Sequence, residues 1–290
     1  MISAKTCRKP TRFRIYFSSI FLVTIALASA PQLDHSAEEL IRNMERPCAM
    51  TPEICTLGHD ALLVRFAREA SEAATACVQV MLRLIEEADL PHVTEIAPAL
   101  ASVMVRFQGG ADVRSLLHQN LTDLIGKTGW STVTVPAAKR RWIIPVCFDG
   151  DAAPHLAEVA QIAGKPEATI IHDLENVDVR VLALGFAPGQ PYIGLLPQEW
   201  DMPRTSTLTA EVPAGALVTA VRQLVLFANP SPTGWRQIGM SAFRPFTPET
   251  DTPILLRAGD AMQFSRASAD DIARLQASED PKGGAICQSL

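Results

Sequence analysis

A loop rich in glycine and proline follows the hydrophobic run RVLAL (Arg180 to Leu184), which has the composition of a buried strand. Its sequence from Gly185 to Pro197 is GFAPGQPYIGLLP, and six of its thirteen residues are glycine or proline. Glycine lets the backbone approach another group closely, and proline lowers the entropy lost when a loop is ordered. After a buried strand, such a loop is either a binding surface or a plug in which Phe186 and Tyr192 fill space.

A second loop has the same character and strengthens the case for a pocket. It runs from Asn229 to Gly239 with the sequence NPSPTGWRQIG, and its aromatic residue is Trp235. Two rigid loops that each carry an aromatic side chain make a pocket more plausible than either loop alone.

Charged residues near these loops suggest two kinds of chemistry. Arg204 follows a proline, and an arginine on a constrained loop is suited to binding a carboxylate or phosphate bidentately; its alternative is a surface ion pair. His172 is a candidate catalytic residue or a solvent-facing helix residue. Glu199 and Asp201 form either an acid and base cluster or a charged loop. The sequence has no GxSxG, HExxH, GxxxxGK[ST] or GxGxxG motif.

The composition is that of an ordinary globular protein. The chain has 290 residues, a formal net charge of -5 and 48% hydrophobic residues, which suits one large or two modest domains. The chain is mildly acidic and lacks the excess of positive charge that is typical of nucleic-acid-binding proteins, so we expect no nucleic-acid partner. Six cysteines without a CxxC pair predict reduced thiols, with no disulfide framework and no metal site.

The first fifty residues, 1–50, predict either an export signal or an over-extended start. A basic stretch, Lys5 to Arg14, precedes an apolar run, Ile15 to Ala30, that ends in small residues. This order is typical of a secretory signal peptide. Alternatively, translation starts at Met44 or Met50. The apolar run is short for a membrane span.

Residues 56–135 predict a small α+β domain. Apolar residues at helical spacing predict one helix from Ser71 to Ala88 and a second that follows Gly109, has Asp112 as its N-cap and ends at Gly126. Runs with strand composition are 61–66, 92–97, 102–107 and 131–135. The order strand, helix, strand, strand, helix, strand is the split βαβ, or ferredoxin-like, arrangement.

Residues 140–268 predict a different architecture. A strand from Trp142 to Phe148 is followed by two short helices, one ending at Gly164 and one beginning near Pro166, and then by several short strands separated by glycine and proline. This pattern favours a β-barrel or a sandwich. Residues 269–290 predict a polar tail, which we expect to be loose from Pro281.

The two aromatic loops carry a family resemblance. The pattern G-F-x-P-G-x-P-Y-x-G-x-L-P is matched from Gly185 to Pro197, with further matches at Pro203-Arg204, VPAG (212–215), Gln223, Gly234-Trp235 and RAGDAMQF (257–264). The chain resembles the family of the bacterial 5-oxoprolinase B subunit, which also contains the sporulation kinase inhibitor and the first subunit of allophanate hydrolase-like proteins. The resemblance covers about residues 57–264.

The resemblance implies an architecture and a reaction. It implies a small ferredoxin-like amino-terminal domain, a cyclophilin-like β-barrel domain and a cytoplasmic location. In this family the B-type protein pairs with a C-type protein, and together with an A-type protein the assembly uses ATP to open 5-oxo-L-proline to L-glutamate. ATP is expected in the assembled complex, because a lactam resists hydrolysis unless its carbonyl is activated.

The resemblance also implies site residues. Arg204 and His172 are the catalytic candidates. The residues expected to form a substrate pocket or a partner loop are those of the matched loop motifs: Gly185, Phe186, Pro188, Gly189, Pro191, Tyr192, Gln223, Gly234 and Trp235.

Several positions depart from the family pattern. Val221 and Arg222 replace two glycines that relatives usually carry before Gln223, and Met240 stands where relatives have an arginine. If those glycines let the backbone approach a phosphate, their loss narrows that site. Two functions therefore stay open: a member of a catalytic complex, or a regulatory binding protein that resembles the kinase inhibitor and grips a histidine kinase. Prolyl isomerisation has only fold analogy behind it.

Overall fold

The computed structural model describes residues 52–278 and 280–290, so the predicted export signal lies outside the described residues. These residues form a mixed α and β structure with three sheets. None of the helices in these ranges is long and apolar enough to cross a membrane.

The amino-terminal lobe is a four-stranded antiparallel sheet with two helices. Its elements are β1 (Glu53–Leu57), β2 (Ala61–Arg65), α1 (Glu72–Ala88), β3 (Val93–Pro98), β4 (Ser102–Phe107) and α2 (Ala111–Gly126), and the strand order is β1-β2-β4-β3. Side chains from β2, β4 and both helices, among them Val64, Met81, Val105 and Leu121, form one buried core. The two helices and three of the strands are those that the sequence predicts.

The strand predicted at residues 131–135 is wrong. Residues Trp130–Thr132 form one 3-10 turn and the following residues have no regular structure. Trp130 is buried, its ring is tilted against that of Phe66 with centroids 4.9 Å apart, and its Nε1 donates to the Ile125 carbonyl at 2.9 Å, which holds the turn against the core. The edge beside β2, where the split βαβ arrangement places its last strand, is occupied by β1.

Helix ends differ in how well the sequence predicts them. In α1 the Ser71 hydroxyl accepts a hydrogen bond from the Ala74 amide at 3.1 Å, as an N-cap does. In α2 the N-cap is Gly110, and the predicted N-cap, Asp112, lies in the first turn instead. A carboxylate in the first turn still stabilises the helix, because it faces the positive end of the helix dipole.

The carboxy-terminal lobe is built on an eight-stranded sheet. Its strands are β5 (Arg140–Val146), β6 (Val179–Leu184), β7 (Pro191–Gly194), β9 (Ala216–Ala220), β10 (Gln223–Leu226), β12 (Arg236–Met240), β13 (Ala261–Arg266) and β14 (Ile286–Ser289), in the order β12-β9-β10-β7-β6-β13-β5-β14. The pair of β5 and β13 is parallel and the other pairs are antiparallel. Strands β8 (Thr209–Val212) and β11 (Ser231–Thr233) form a separate pair.

An additional bridge connects distant strands of this order. Cys147, directly after β5, and Met240, the last residue of β12, exchange backbone hydrogen bonds of 2.8 and 2.9 Å. The sheet therefore curves until β12, at one end of the order, meets the chain that leaves β5 near the other end. One face of this sheet packs on a large buried core.

Three helices complete this lobe: α3 (Leu156–Ala163), α4 (Glu167–Asn176) and α5 (Ala269–Gln276). Helix α3 ends at Gly164, whose φ of 65° is in the left-handed region that favours glycine, as predicted. Helix α4 begins after Pro166, also as predicted, and carries His172.

A buried carboxylate organises the starts of β5 and β13. Asp260 accepts hydrogen bonds from Arg140 Nε at 2.9 Å, from Trp142 Nε1 at 3.2 Å and from the Arg257 amide at 2.9 Å. Because a buried charge is tolerated only when it is paired and hydrogen-bonded, these donors account for Asp260 at 5% exposure.

The prediction of a loose segment from Pro281 is wrong. Strand β14 pairs with β5, and Ala285 is buried in the large core. Gly283 has a φ of 50°, and a Cβ there would lie 2.3 Å from the Ala242 carbonyl carbon. The polar composition of this segment reflects an exposed edge strand, which is ordered by its backbone.

Candidate functional site

The first aromatic loop is a tight connection between β6 and β7. The Gly185 amide donates to the Gln190 carbonyl at 3.0 Å, and the Gln190 amide donates to the Ala187 carbonyl at 3.1 Å. Gly189 has a φ of 70°, and a Cβ at this position would lie 2.4 Å from the Pro245 carbonyl oxygen. This glycine therefore allows close approach to another backbone segment of the same lobe.

The two aromatic residues of this loop have different environments. Phe186 is 57% exposed and has a φ of 70°, which is uncommon for a residue with a side chain. Tyr192, on β7, is 9% exposed. The two alternatives for this loop therefore apply to different residues, because Tyr192 fills space within the lobe while Phe186 faces solvent.

Tyr192, Trp235 and Arg204 form a group that we call the aromatic–arginine cluster. The rings of Tyr192 and Trp235 meet edge to face, with centroids 6.1 Å apart. The Arg204 guanidinium carbon lies 5.5 Å from the centre of the Trp235 ring. Both contacts are attractive, since the faces of aromatic rings are negative and their edges positive. The structure thus brings together one predicted catalytic residue and two predicted pocket residues.

Gly234 makes room for this cluster. Its carbonyl accepts a hydrogen bond from the Thr205 amide at 2.7 Å, which fixes the chain next to Arg204. A Cβ on Gly234 would lie 3.3 Å from the Thr205 carbonyl oxygen and 3.6 Å from the Arg204 Cβ. A larger residue would push the Arg204 segment away from Trp235.

The cluster combines a neutral phenol with a fixed cation. Burial raises the pKa of Tyr192 to about 12, against the nearby Arg204 charge and a hydrogen bond with Gln190, which lower it. The phenol is therefore protonated at neutral pH. Arg204 is exposed, and within residues 52–278 and 280–290 no carboxylate lies within ion-pair distance of its guanidinium. A guanidinium held on an aromatic ring, with no described carboxylate beside it, is suited to binding an anion.

Two glutamines flank Tyr192, and the sequence predicts only one of them. Gln223 lies on the same sheet face as Tyr192, since Val225 pairs with Tyr192 and Gln223 pairs with Gly194. Gln223 is buried, and its Oε1 has no hydrogen-bond partner among the described residues. Gln190 is 1% exposed and accepts from the Ala228 amide at 3.3 Å. Gln190 is not predicted, and the only sequence signal that could have pointed to it is that it is polar within an otherwise apolar loop motif.

His172 lies in a different place from the cluster. It is an exposed residue of α4 whose ring nitrogen Nδ1 is 3.2 Å from Asn176 Nδ2. It lines a cleft of about 270 Å³ that contains none of the three cluster residues. The lining residues are Lys165, His172, Asp173, Asn176, Val177, Leu196, Pro197, Glu199 and Trp200.

The one lysine of this cleft is already paired with two carboxylates. Lys165 Nζ lies 2.7 Å from Asp173 Oδ2 and 2.9 Å from Glu199 Oε1. The hydrogen bond from Lys165 lowers the pKa of Glu199, so this carboxyl is ionised at neutral pH. Asp201 accepts from Gln198 Nε2 at 3.3 Å. Glu199 and Asp201 thus have separate partners, which favours the charged loop over an acid and base cluster.

The backbone conformation of Val221 and Arg222 explains why the family pattern has glycines at these two positions. These residues form the two-residue turn between β9 and β10, because Ala220 pairs with Gln223. Their φ values are 44° and 61°, and a two-residue hairpin turn with both φ values positive strongly favours glycine. The two glycines of the family pattern are therefore explained by turn geometry without a bound phosphate.

Comparison with known proteins gives sequence relatives along most of the chain. Residues 52–256 match the family described as carboxyltransferase domain, subdomain C and D. The 5-oxoprolinase B subunit of Bacillus subtilis (strain 168) is 32% identical over 227 residues, which are 76% of this chain and 94% of that protein. The 5-oxoprolinase B subunit of Escherichia coli O157:H7 is 33% identical over 177 residues, 61% of this chain and 79% of that protein.

Solved structures give the same relationship at the level of the fold. A protein designated TTHA0988 superposes with a TM-score of 0.58 at 26% identity over 72% of this chain, which spans only 40% of that one. The urea carboxylase of Kluyveromyces lactis superposes with a TM-score of 0.61 at 15% identity over 82% of this chain and 24% of its own. The second similarity concerns the fold alone.

Proposed function

The chain belongs to the carboxyltransferase domain family, subdomain C and D, and we propose from this premise that it is the B-type member of a 5-oxoprolinase-type complex. The observation that carries the proposal is 32% identity to a 5-oxoprolinase B subunit over 94% of that protein. In this proposal the chain works with A-type and C-type partner proteins, and the assembly opens 5-oxo-L-proline to L-glutamate with ATP.

We assign the aromatic–arginine cluster to an acidic group of the substrate. 5-Oxoproline carries a carboxylate, and a guanidinium can hold a carboxylate by two parallel hydrogen bonds. Trp235 restricts Arg204 through the contact at 5.5 Å, which reduces the entropy lost when the anion binds. Tyr192 keeps its proton and supports the Trp235 ring. The cleft with His172 is separate, so His172 has no part in this proposed anion site.

The cluster and the nearby cleft offer little free positive charge for a nucleoside triphosphate. The cluster supplies one cation, and the nearby cleft supplies a lysine that two carboxylates already neutralise. Since a triphosphate needs several positive groups, we propose that the partner proteins bind ATP.

We also propose that the carboxy-terminal lobe is a cyclophilin-like barrel. The bridge between Cys147 and Met240 supports this proposal, because it joins strands near opposite ends of the sheet order. Closure of this kind covers the edge at β12, while β14 stays an edge strand.

The test of the enzyme proposal is ATP hydrolysis by the complex reconstituted from this chain and its A-type and C-type partners. We expect 5-oxoproline to stimulate the hydrolysis, and Arg204→Ala to lower the stimulated rate at least about tenfold, as loss of a charged hydrogen-bond pair does. Arg274→Ala is the matched control, since Arg274 is an exposed arginine of α5. A complete complex that 5-oxoproline does not stimulate would contradict the proposal, and full turnover by Arg204→Ala would contradict the role of Arg204.

A second candidate function is a regulatory binding protein, and one observation favours it. Leu208 is 67% exposed although its side chain lies beside Gly234, next to the cluster. An exposed apolar residue at the rim of a charged site suits a protein partner. Capture experiments with the tagged chain distinguish the two candidates: recovery of a histidine kinase supports regulation, and recovery of only a C-type partner counts against it.

A further inference from the structure

The turn at Val221 and Arg222 connects two parts of the molecule that are distant in sequence. Both residues have left-handed backbone conformations, with φ values of 44° and 61°. Such conformations persist only where surrounding contacts hold them, and this turn makes several contacts outside its own hairpin. Arg222, which replaces a glycine of the family pattern, makes most of them.

The first set of contacts is with the segment 196–202, which we call the bridging segment. The Leu196 amide donates to the Arg222 carbonyl at 2.8 Å, and the Val221 amide donates to the Met202 carbonyl at 2.8 Å. The Arg222 amide donates to the Trp200 carbonyl at 3.2 Å. The turn therefore holds the bridging segment at both of its ends and near its middle.

The Arg222 side chain adds two contacts that a glycine could not make. Its Nε donates to the Leu196 carbonyl at 2.8 Å. Its Nη2 forms an ion pair with Glu72 Oε1, on the first turn of α1 in the amino-terminal lobe. A single guanidinium thus joins the bridging segment to the other lobe.

The bridging segment leads directly to the aromatic–arginine cluster. Arg204 follows Met202 by two residues, and the Pro203 carbonyl accepts from Arg236 Nη1 at 2.6 Å. At its other end, Leu196 and Trp200 line the cleft that contains His172. A displacement of the bridging segment therefore moves one wall of the cleft and the backbone that carries Arg204.

We propose that Arg222 is a positioning residue that couples the amino-terminal lobe to the proposed anion site. Through Glu72, the placement of α1 sets the conformation of the bridging segment, and through Met202 and Pro203 it sets the position of Arg204. The consequence for substrate binding rests on the proposed function, whereas the coupling itself concerns only contacts within this chain.

Amide hydrogen exchange of the full-length chain, followed by mass spectrometry of peptides from residues 195–204, tests the coupling without requiring any activity. Glu72→Gln removes the charge of an exposed side chain and leaves the fold intact. We expect it to raise the exchange rate of these peptides about two- to fivefold, the range that one exposed ion pair supports. Glu87→Gln is the matched control, because Glu87 is an exposed carboxylate of the same helix.

The same measurement in an Arg222→Gly background separates coupling from a local effect of Glu72. If Glu72 acts through Arg222, Glu72→Gln adds no further increase once Arg222 is glycine. Unchanged exchange of residues 195–204 in Glu72→Gln, or an equal increase in both backgrounds, would overturn the proposal. Failure of the reconstituted complex to hydrolyse ATP would instead count against the proposed function and leave this result unaffected.

Discussion

At the scale of single residues, the cluster gains its chemistry from contacts that restrict each member. Trp235 contacts both a phenol and a guanidinium, and Gly234 places no side chain beside the Arg204 Cβ. A lysine in place of Arg204 would keep the charge but lose the planar stacking and the paired donors. The proposed anion site therefore suits a flat anion with two acceptor oxygens, such as a carboxylate.

The ionisation of Tyr192 gives a test of its burial. The folded protein keeps the phenol proton to about pH 12, whereas the unfolded chain loses it near the ordinary pKa of 10. Between these values the unfolded state binds fewer protons, so stability falls as pH rises. We expect the free energy of unfolding to drop by about 2 kcal/mol more across this window than it does in Tyr192→Phe.

Urea unfolding of both proteins at several pH values from 9 to 12 measures this difference. Below about pH 10 the two curves should run parallel, since the phenol is neutral in both states. Equal slopes across the whole range would mean that Tyr192 is solvated.

Residue chemistry predicts part of this site from the sequence. Arg204, Tyr192 and Trp235 belong together because arginines and aromatic residues on rigid loops suit a pocket, and the structure groups them. His172 lines a cleft that contains none of these three residues. The sequence predicts that His172 lies on a helix, but it does not show which cleft that helix lines. Gln190 escapes prediction because its role depends on contact with Ala228, 38 positions away.

At the scale of elements, the β9–β10 turn combines strain with tight anchoring. A β-branched residue at a φ of 44° is a conformational outlier. The three backbone hydrogen bonds between the turn and residues 196–202 maintain it. This turn therefore contains a residue that is unfavourable locally and is held by its neighbours.

Replacing Val221 by glycine should stabilise the protein. The left-handed conformation costs about 1–2 kcal/mol for a residue with a side chain, and glycine avoids this cost. Part of the gain is offset, because glycine loses more conformational entropy on folding. We expect a net gain of about 1 kcal/mol, measured as a higher urea midpoint. The control is Ala220→Gly in strand β9, where the same kind of change should destabilise by about 0.5–1 kcal/mol. A loss of stability in Val221→Gly would show that packing of the Val221 side chain stabilises the protein by more than its left-handed conformation costs.

Elements with strong periodicity are predicted well, and edge strands are not. Helices α1, α3 and α4 follow from apolar spacing and from their glycine, serine and proline boundaries. The run STVTV alternates like a strand, yet it forms none, because a strand needs a partner edge and β1 already occupies the one beside β2. No residue of β1 is fully buried, since two are exposed and three are half-buried, which leaves a weak pattern in the sequence.

At the scale of the whole molecule, two cores share a polar junction. The small core lies within the amino-terminal lobe and the large core within the carboxy-terminal lobe. Between them, Glu72 meets Arg222, and Gln79 lies 3.1 Å from where a Cβ on Gly259 would stand. Strands β3 and β6 also meet across this junction, so these polar pairs add to a backbone contact.

The docking of the carboxy-terminal segment can be tested with two glycines. Gly283 and Gly150 both have left-handed backbones, but only Gly283 lacks space, since its Cβ would lie 2.3 Å from Ala242. We expect Gly150→Ala to destabilise by about 1 kcal/mol, and Gly283→Ala by at least about 2 kcal/mol more. Thermal unfolding of both variants measures the difference, and equal effects would mean that the segment is loose.

The parallel pairing of β5 with β13 has a consequence for how the protein is made. Strand β5 is the first strand of the carboxy-terminal lobe, yet its partners are the last two strands. Arg140 and its ion-pair partner Asp260 are likewise 120 residues apart in the sequence. The amino-terminal sheet, in contrast, uses only residues 53–107. As the chain leaves the ribosome, the amino-terminal lobe can fold early, whereas β5 waits unpaired until nearly all of its lobe has been translated. Translation pauses between β5 and β13 therefore prolong the interval in which this apolar strand is open to aggregation.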